Sequence, residues 1–460
     1  MSIIASLANA RSGMSATGVR AQVTSANIAN VSTTGYVRRE VVLSQSGQTG
    51  VTVTGVSRVQ DKILLQSRRD AQAQSAGSEV IDASLKRALS AFGEPGSQTG
   101  IFGRLTQFET DLQTLRSTPE SAAAQNVTVD SLKDLTRSLT KAAQDLQAER
   151  TQADARLATD ISQVNEIAED LYELNGHIRK AGAAGGDTAA LLDQRDAMIG
   201  EISKRLPVKV DYEDSGAVTI RTATGLTLVG PTVTKIEFQP AFRIGSADTT
   251  TASGGRLSIP TLHGEPIAPG SGPHGVGEGR IAAWLELRDD QLPTQADALD
   301  TFAFDLASAF DAIGEPLLLD TGAPVLAANK KGLAERLGVN ALIDPLRGGE
   351  PRRLRDGLAS VAPGAPGNDV GLSRLTETLA PFAGQLGTLI SDVSTVAFRA
   401  SRIHAGNLAR VTTLDEAHNQ LTGVDLDYEL QNLLAIEQAY TANAKIIQAV
   451  SDMFDTLARI

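Results

Sequence analysis

The sequence predicts a mainly α fold with a small inserted β domain. Coiled-coil helices sit at both termini, and a discontinuous bundle of long helices forms the body between them. Three observations carry this. Apolar residues step by three and four at each chain end, the 3.5-residue repeat of a coiled-coil seam. Ser121 to Ile178 is charged on one face and carries Leu, Ile and Val at helical spacing. After Pro207 the apolar period changes to two.

In chain order, residues 1–30 form the first helix, with Ile3, Leu7, Ala10, Met14, Thr17, Ala21, Thr24 and Ile28 on one seam. Gly13 and Gly18 weaken it by roughly 1 kcal/mol each relative to alanine. Thr33, Thr34 and Gly35 break it, and Val37–Val42 and Val51–Val56 read as short strands. From about Lys62 to Leu206 the pattern is helical, interrupted at Gly93–Gly103, near Pro119 and at Ala181–Asp187. Leu191–Leu206 is an amphipathic helix stopped by Pro207.

Val208, Val210 and Tyr212, then Val218, Ile220 and Thr222, then Leu226, Leu228 and Val233 alternate, with Gly216, Gly225 and Gly230 at the turns. They predict a small antiparallel β domain reaching towards Ile259. The Gly- and Pro-rich run Gly264–Gly279 is a boundary loop. Helix resumes from Arg280 to Ile313, a proline-rich loop follows, and helices return from Leu372. The last helix places Ile436, Ala439, Asn443, Ile446, Val450, Met453, Leu457 and Ile460 on a seam. Tyr440, Ala444, Ile447 and Phe454 widen it, so this helix buries more than one seam. The expected division is residues 1–35 and 424–460 as terminal helices, 36–206 and 280–423 as the helical body, and 207–279 as the β-rich insertion.

Composition narrows the chemistry. The 460 residues suggest about three domains. A net charge of −12 removes the basic footprint that nucleic acid or anionic lipid requires. The absence of cysteine excludes disulfides, thiolate metal sites and thiol catalysis. No run approaches 18 apolar residues, so no membrane span is expected. The N-terminus lacks the basic and apolar regions of a secretory signal peptide, so the chain stays in the cytosol or leaves by a route that reads no such signal. His177, His263, His274, His404 and His418 show no metal-ligand spacing, and Glu166, Glu169, Asp170 and Glu173 read as a solvated helix face. The glycine runs 182–186 and 275–279 fit neither phosphate-loop nor dinucleotide spacing. Arg352, Arg353 and Arg355 form the one dense basic cluster, expected to ion-pair with a neighbour. No catalytic site, cofactor or metal is expected.

The chain ends pose a stability problem. Ordering about 35 residues costs roughly 1–2 kcal/mol each in backbone entropy, and a buried seam side chain returns roughly 1.5–3 kcal/mol. The two ends can pair, but a pair leaves the wide C-terminal stripe partly open. Termini that become ordered on assembly, or that dock on the chain's own helical body, are both compatible with the periodicity.

Residues 26–36, ANIANVSTTGY, followed by Val37, Arg38, Arg39 and Glu40, closely resemble the N-terminal signature of the flagellar axial proteins of rod, hook and hook-filament junction. GVDLDYE at 423–429, NLL at 432–434, QAYTANAKII at 438–447 and MFDTL at 453–457 resemble the matching C-terminal signature. LDQRD at 192–196 is similar to a block typical of the junction members, although Val37 and Arg39 depart from their usual serine and glutamine.

The resemblance implies a non-enzymatic structural subunit joining hook to filament, exported by the flagellar type III pathway and lying outside the cell. It implies the hook protein and the second junction protein as partners, self-association into a ring or short tube, and an export chaperone on the C-terminal helix. The implied subunit interface comprises Ile3, Leu7, Met14, Ile28, Asn27, Asn30, Gly35 and Tyr36 at one end. At the other it comprises Leu433, Tyr440, Asn443, Ile446, Ile447, Val450, Met453, Phe454 and Leu457. Another axial subunit, or more remotely a secreted hydrolase, is the alternative.

Overall fold

The computed structural model describes residues 3–33, 35–45, 50–93, 99–270, 275 and 277–458. Thr34, His274 and Ile460 lie outside them, as do parts of the interruption at 93–103 and of the boundary loop at 264–279. The protein is mostly helical with a few small antiparallel sheets, the class that the periodicities predict.

The chain divides into two compact units. Met1–Ala73, Val164–Lys235 and Leu408–Ile460 form the first, and Gln74–Gln163 with Ile236–Asn407 form the second. Three helices contribute residues to both: α2 (Lys62–Phe92), α4 (Ala122–Ala183) and α11 (Phe382–Thr422).

In the first unit, α1 (Ile3–Ala29) runs unbroken through Gly13 and Gly18 and packs along α12 (Leu426–Ala458). β1 (Arg39–Gln45) and β2 (Val51–Arg58) form an antiparallel hairpin against α1, with Val41 opposite Val56. The β2 strand also meets α5 (Ala189–Arg205). A three-stranded antiparallel sheet follows, in the order β3 (Val208–Tyr212), β4 (Val218–Thr222), β5 (Thr227–Val229). Its alternation places Val208, Val218, Ile220 and Leu228 inside. Asn175, fully buried on α4, donates to the Val218 carbonyl at 2.9 Å and accepts from its amide at 3.0 Å, pinning the sheet to the helix. Leu174, Ile178 and Ala217 pack beside it with Leu191, Leu192 and Met198.

In the second unit, α3 (Ile101–Ser117) buries Ile101, Leu105, Phe108, Leu112 and Leu115, a stripe at steps of three and four. It packs on α10 (Val370–Leu379), which also meets α7 (Leu292–Ala312). α6 (Arg280–Glu286) and α7 are joined by a π turn at Leu287–Gln291. Pro293, which has no N–H to donate and whose ring crowds the preceding turn, accounts for that irregularity in an otherwise continuous helix. Within the turn, fully buried Arg288 donates to Asp154 at 2.6 Å and to Asp289 at 2.7 Å. The 314–369 stretch is held by a small pair, β8 (Leu318–Asp320) with β9 (Leu337–Val339).

The expected single β insertion at 207–279 is divided. Residues up to Lys235 belong to the first unit with the sheet, and those from Ile236 to the second. The cause is polar anchoring to α4. Arg150 donates to the carbonyls of Gly245 at 3.1 Å and Asp248 at 2.7 Å, and Asp154 accepts the Ala241 amide at 2.6 Å. In this second part the described strands are two-residue pieces, β6 (Thr261–Leu262) and β7 (Glu265–Pro266).

Candidate assembly interface

The two chain ends meet. Gly13 faces Asn443, and Asn27 bonds Glu429, so α1 and α12 are antiparallel. The α1 seam is built of small residues: Ala10, Thr17 and Thr24 are buried, with Ala21 half-buried beside them. Small side chains let the helices approach closely. A Cβ on Gly13 would lie 2.9 Å from Asn443 Nδ2, so this glycine makes room for the amide. From α12, Ile436 and Val450 are buried, and Leu433, Asn443 and Ile447 are half-buried.

Much of the apolar stripe of α12 remains uncovered. Tyr440, Ile446, Met453, Phe454 and Leu457 are between 43% and 57% exposed, and Leu426, Leu430 and Leu434 continue the apolar surface towards the start of the helix. On α1, Ile3, Leu7, Met14 and Ile28 are half-buried, while Ile4 is exposed. Periodicity placed Ile446, Met453 and Leu457 on the seam with Val450. In the pair they are exposed: Ile446 and Met453 flank a stripe wider than one partner helix covers, and Leu457, one seven-residue step beyond Val450, lies past the level of Ile3 where α1 starts.

Where α1 ends, Asn27 is 1% exposed and fully satisfied. Its Nδ2 donates to the Arg39 carbonyl at 3.0 Å and to Glu429 Oε1 at 2.9 Å. Its Oδ1 accepts from the Tyr36 hydroxyl at 2.8 Å and the Arg39 amide at 3.1 Å. Burial, opposed by Arg39, raises the Tyr36 phenol above its ordinary range, so it remains a donor. Asn30 closes the turn by donating to the Ala26 carbonyl at 2.8 Å, and Gly35 takes φ +81°, which an L side chain rarely adopts. The Arg38 amide donates to the Thr422 carbonyl at 2.9 Å. The signature residues thus tie the end of α1 to the hairpin and to the start of α12. Asn27 and Val450 are buried within the chain, whereas Tyr440, Ile446, Met453, Phe454 and Leu457 are not covered by it.

Glu429, 2% exposed, is the partner that periodicity did not single out. The signal was present: it lies one seven-residue step before Ile436 on the seam.

The LDQRD block holds the hairpin. Asp193 pairs with Arg58 at 2.8 Å and Arg39 at 3.4 Å, and Asp196 with Arg58 at 2.9 Å, Arg69 at 3.2 Å and Arg195 at 2.8 Å. Burial works to raise both carboxyls. It prevails at Asp193, whereas at Asp196 the guanidiniums of Arg195, Arg58 and Arg69 hold the carboxyl below its ordinary value.

Other candidate chemistry is occupied structurally. Glu166, Glu169, Asp170 and Glu173 are exposed, and Glu169 pairs with Lys235 at 2.7 Å. The basic cluster does not need a neighbour: Arg352 and Arg353 pair with Glu350 at 2.7 and 3.3 Å, and Arg355 with Asp356 at 2.6 Å. Among the described residues no group of three or more His, Asp or Glu side chains could hold a metal, and no helix is long and apolar enough to cross a membrane.

An antiparallel pair of terminal helices beside a long-helix body defines a class of helical proteins in which both chain ends form one structural element. Comparison with known proteins narrows this. The model of the flagellar hook-associated protein FlgK helical domain matches residues 86–315. Those of the flagellar basal body rod FlgEFG protein C-terminal region and the flagella basal body rod protein match 420–460 and 7–36. Flagellar hook-associated protein 1 of Escherichia coli (strain K12) is 24% identical, covering 98% of this chain and 99% of the relative. That of Bacillus subtilis (strain 168) is 23% identical, covering 98% and 96%. The structure of the flagellar hook junction protein FlgK from Burkholderia pseudomallei is similar over 56% of this chain and 45% of that one, at 21% identity and a TM-score of 0.44.

The chain belongs to the FlgK family of flagellar hook-associated proteins, as the signatures at its two ends implied. It is a structural component of the hook-filament junction of the bacterial flagellum. The alignment to the Escherichia coli relative runs over 556 positions against 460 residues here, so that relative has insertions this chain lacks.

Proposed function

We propose that this subunit assembles through residues 1–35 and 424–460, and that the uncovered face of α12 packs on neighbouring subunits. The observation that carries this is the group Tyr440, Ile446, Met453, Phe454 and Leu457, apolar and exposed on a stripe that α1 covers only in part. Burying each such side chain contributes roughly 1.5–3 kcal/mol, so five together outweigh the ordering cost of a few residues at a helix end. The neighbours are further copies in a ring or short tube, the hook protein below and the second hook-associated protein above. The role is structural and non-enzymatic.

Export runs through the flagellar type III pathway before assembly outside the cell, and a chaperone covers the α12 stripe in the cytosol. An exposed apolar helix face of this length promotes aggregation when left bare, which is the physical reason for a chaperone. Deleting residues 424–460 abolishes chaperone capture in a pull-down from the native host; retained capture overturns that placement. Leu457→Asp leaves the purified chain folded, with unchanged helix content by circular dichroism, and fails to restore motility in a strain lacking the protein. Restored motility would remove Leu457 from the interface.

A further inference from the structure

The apolar seam of the α1–α12 pair repeats every seven residues on both helices: Ala10, Thr17 and Thr24 on one, Ile436 and Val450 about Asn443 on the other. A slip of one heptad returns small residues opposite apolar ones and buries nearly the same surface. Such a seam brings two helices together without saying which residue meets which. One buried hydrogen bond, Asn27 to Glu429, and one close fit, the Asn443 amide in the space left by Gly13, break the degeneracy, and they belong to one register. Fourteen residues separate Gly13 from Asn27, and fourteen separate Glu429 from Asn443.

We propose that Asn27 with Glu429, and Gly13 with Asn443, set the register of the terminal helix pair. Sliding one heptad in one direction brings Ile436 opposite Asn27 and carries Glu429 beyond the end of α1 at Ala29. The buried amide then has no acceptor on α12. Sliding the other way carries the level of Asn27 past the first residue of α12, Leu426, so the amide again has no acceptor there, and moves Asn443 away from the space that Gly13 leaves for it. Each misregistered pair loses a buried polar contact, and a buried donor left unpaired disfavours its state by roughly tenfold or more. Polar groups inside an apolar seam are suited to this role, because they discriminate between alignments that apolar burial treats alike. The rest of the Asn27 shell, Tyr36 and Arg39, stays on its own side of the pair and holds the amide aimed at Glu429.

The chain has no cysteine, so introduced pairs report alignment cleanly. Thr17→Cys with Ala439→Cys reads the observed register; Thr17→Cys with Asn432→Cys or with Ile446→Cys reads a one-heptad slip either way. On the purified full-length chain under mild oxidation, the first pair should cross-link about tenfold more than the other two. In a Glu429→Leu, Asn443→Leu background, where α12 offers neither polar group to α1 in any register, the three yields should become comparable while helix content is retained. Glu429→Gln alone keeps an acceptor for Asn27 and should keep the observed pair dominant. Equal yields in the unaltered background, or an unchanged preference in the double-leucine background, would overturn the proposal. The cross-links are read before any assembly, so the result stands apart from the motility test of the α12 surface.

Discussion

Asn27 uses all its hydrogen-bonding capacity in a buried site, and one of its partners, Glu429, lies 402 residues along the chain. The resemblance marked Asn27 as important, and the turn chemistry of Asn30 and Gly35 was legible because it is local. The partnership with Glu429 was not, because nothing within a few residues of either side chain encodes it. The same holds for Asp193 and Asp196, one turn apart on one helix yet shifted in opposite directions, because burial prevails at Asp193 and the guanidiniums of Arg195, Arg58 and Arg69 prevail at Asp196. Asp193 is raised above 3.8, so on acidification it takes its proton first, and its protonation opposes no folding. Asp196 is lowered below 3.8, so the stability it contributes is complete above that value and is lost as pH falls through its folded pKa. Carboxyl carbon-13 shifts measured against pH should show Asp193 titrating before Asp196, with hairpin signals responding at both events because both carboxylates pair with Arg58. The reverse order would place the arginines wrongly.

Among the elements, α12 shows what periodicity can and cannot say. The seven-residue repeat announced an amphipathic helix with a stripe wider than one seam, and both features are present. It could not say how much of that stripe α1 covers, because coverage depends on where the partner helix lies and ends. Val450 is covered, at 3% exposure, whereas Leu457, one heptad further along the same stripe, is open. Val450→Asp therefore leaves an unpaired charge in the pair and costs it about 3 kcal/mol or more. Hydrogen exchange across residues 426–458 of the isolated chain should rise in Val450→Asp and stay unchanged in Leu457→Asp. Equal exchange in both variants would mean that α1 does not cover Val450 more than Leu457 in solution.

Over the whole molecule, the two units owe their coherence to different chemistry. The first is joined by helix pairing and by aspartate–arginine contacts to the hairpin; the second is organised around buried arginines of α4 and the π turn. Trp284, whose indole donates to Asp160 at 2.8 Å, is the chain's one tryptophan and reports the second unit. Arg288→Ala leaves Asp154 buried without its partner guanidinium and should destabilise that unit by about 3–5 kcal/mol, read as a lower urea midpoint of Trp284 fluorescence. An unchanged midpoint would make Arg288 dispensable to the unit. By itself the sequence determined the order of helices and strands, the amphipathic ends and the family signatures, since period, capping and turn residues act over a few positions. Only the tertiary structure decided that the β-rich stretch is shared between two units, which part of the α12 stripe stays open, and that Asn27 closes on Glu429. Those outcomes depend on which distant surfaces meet first and fill each other's space, and no local pattern carries that information.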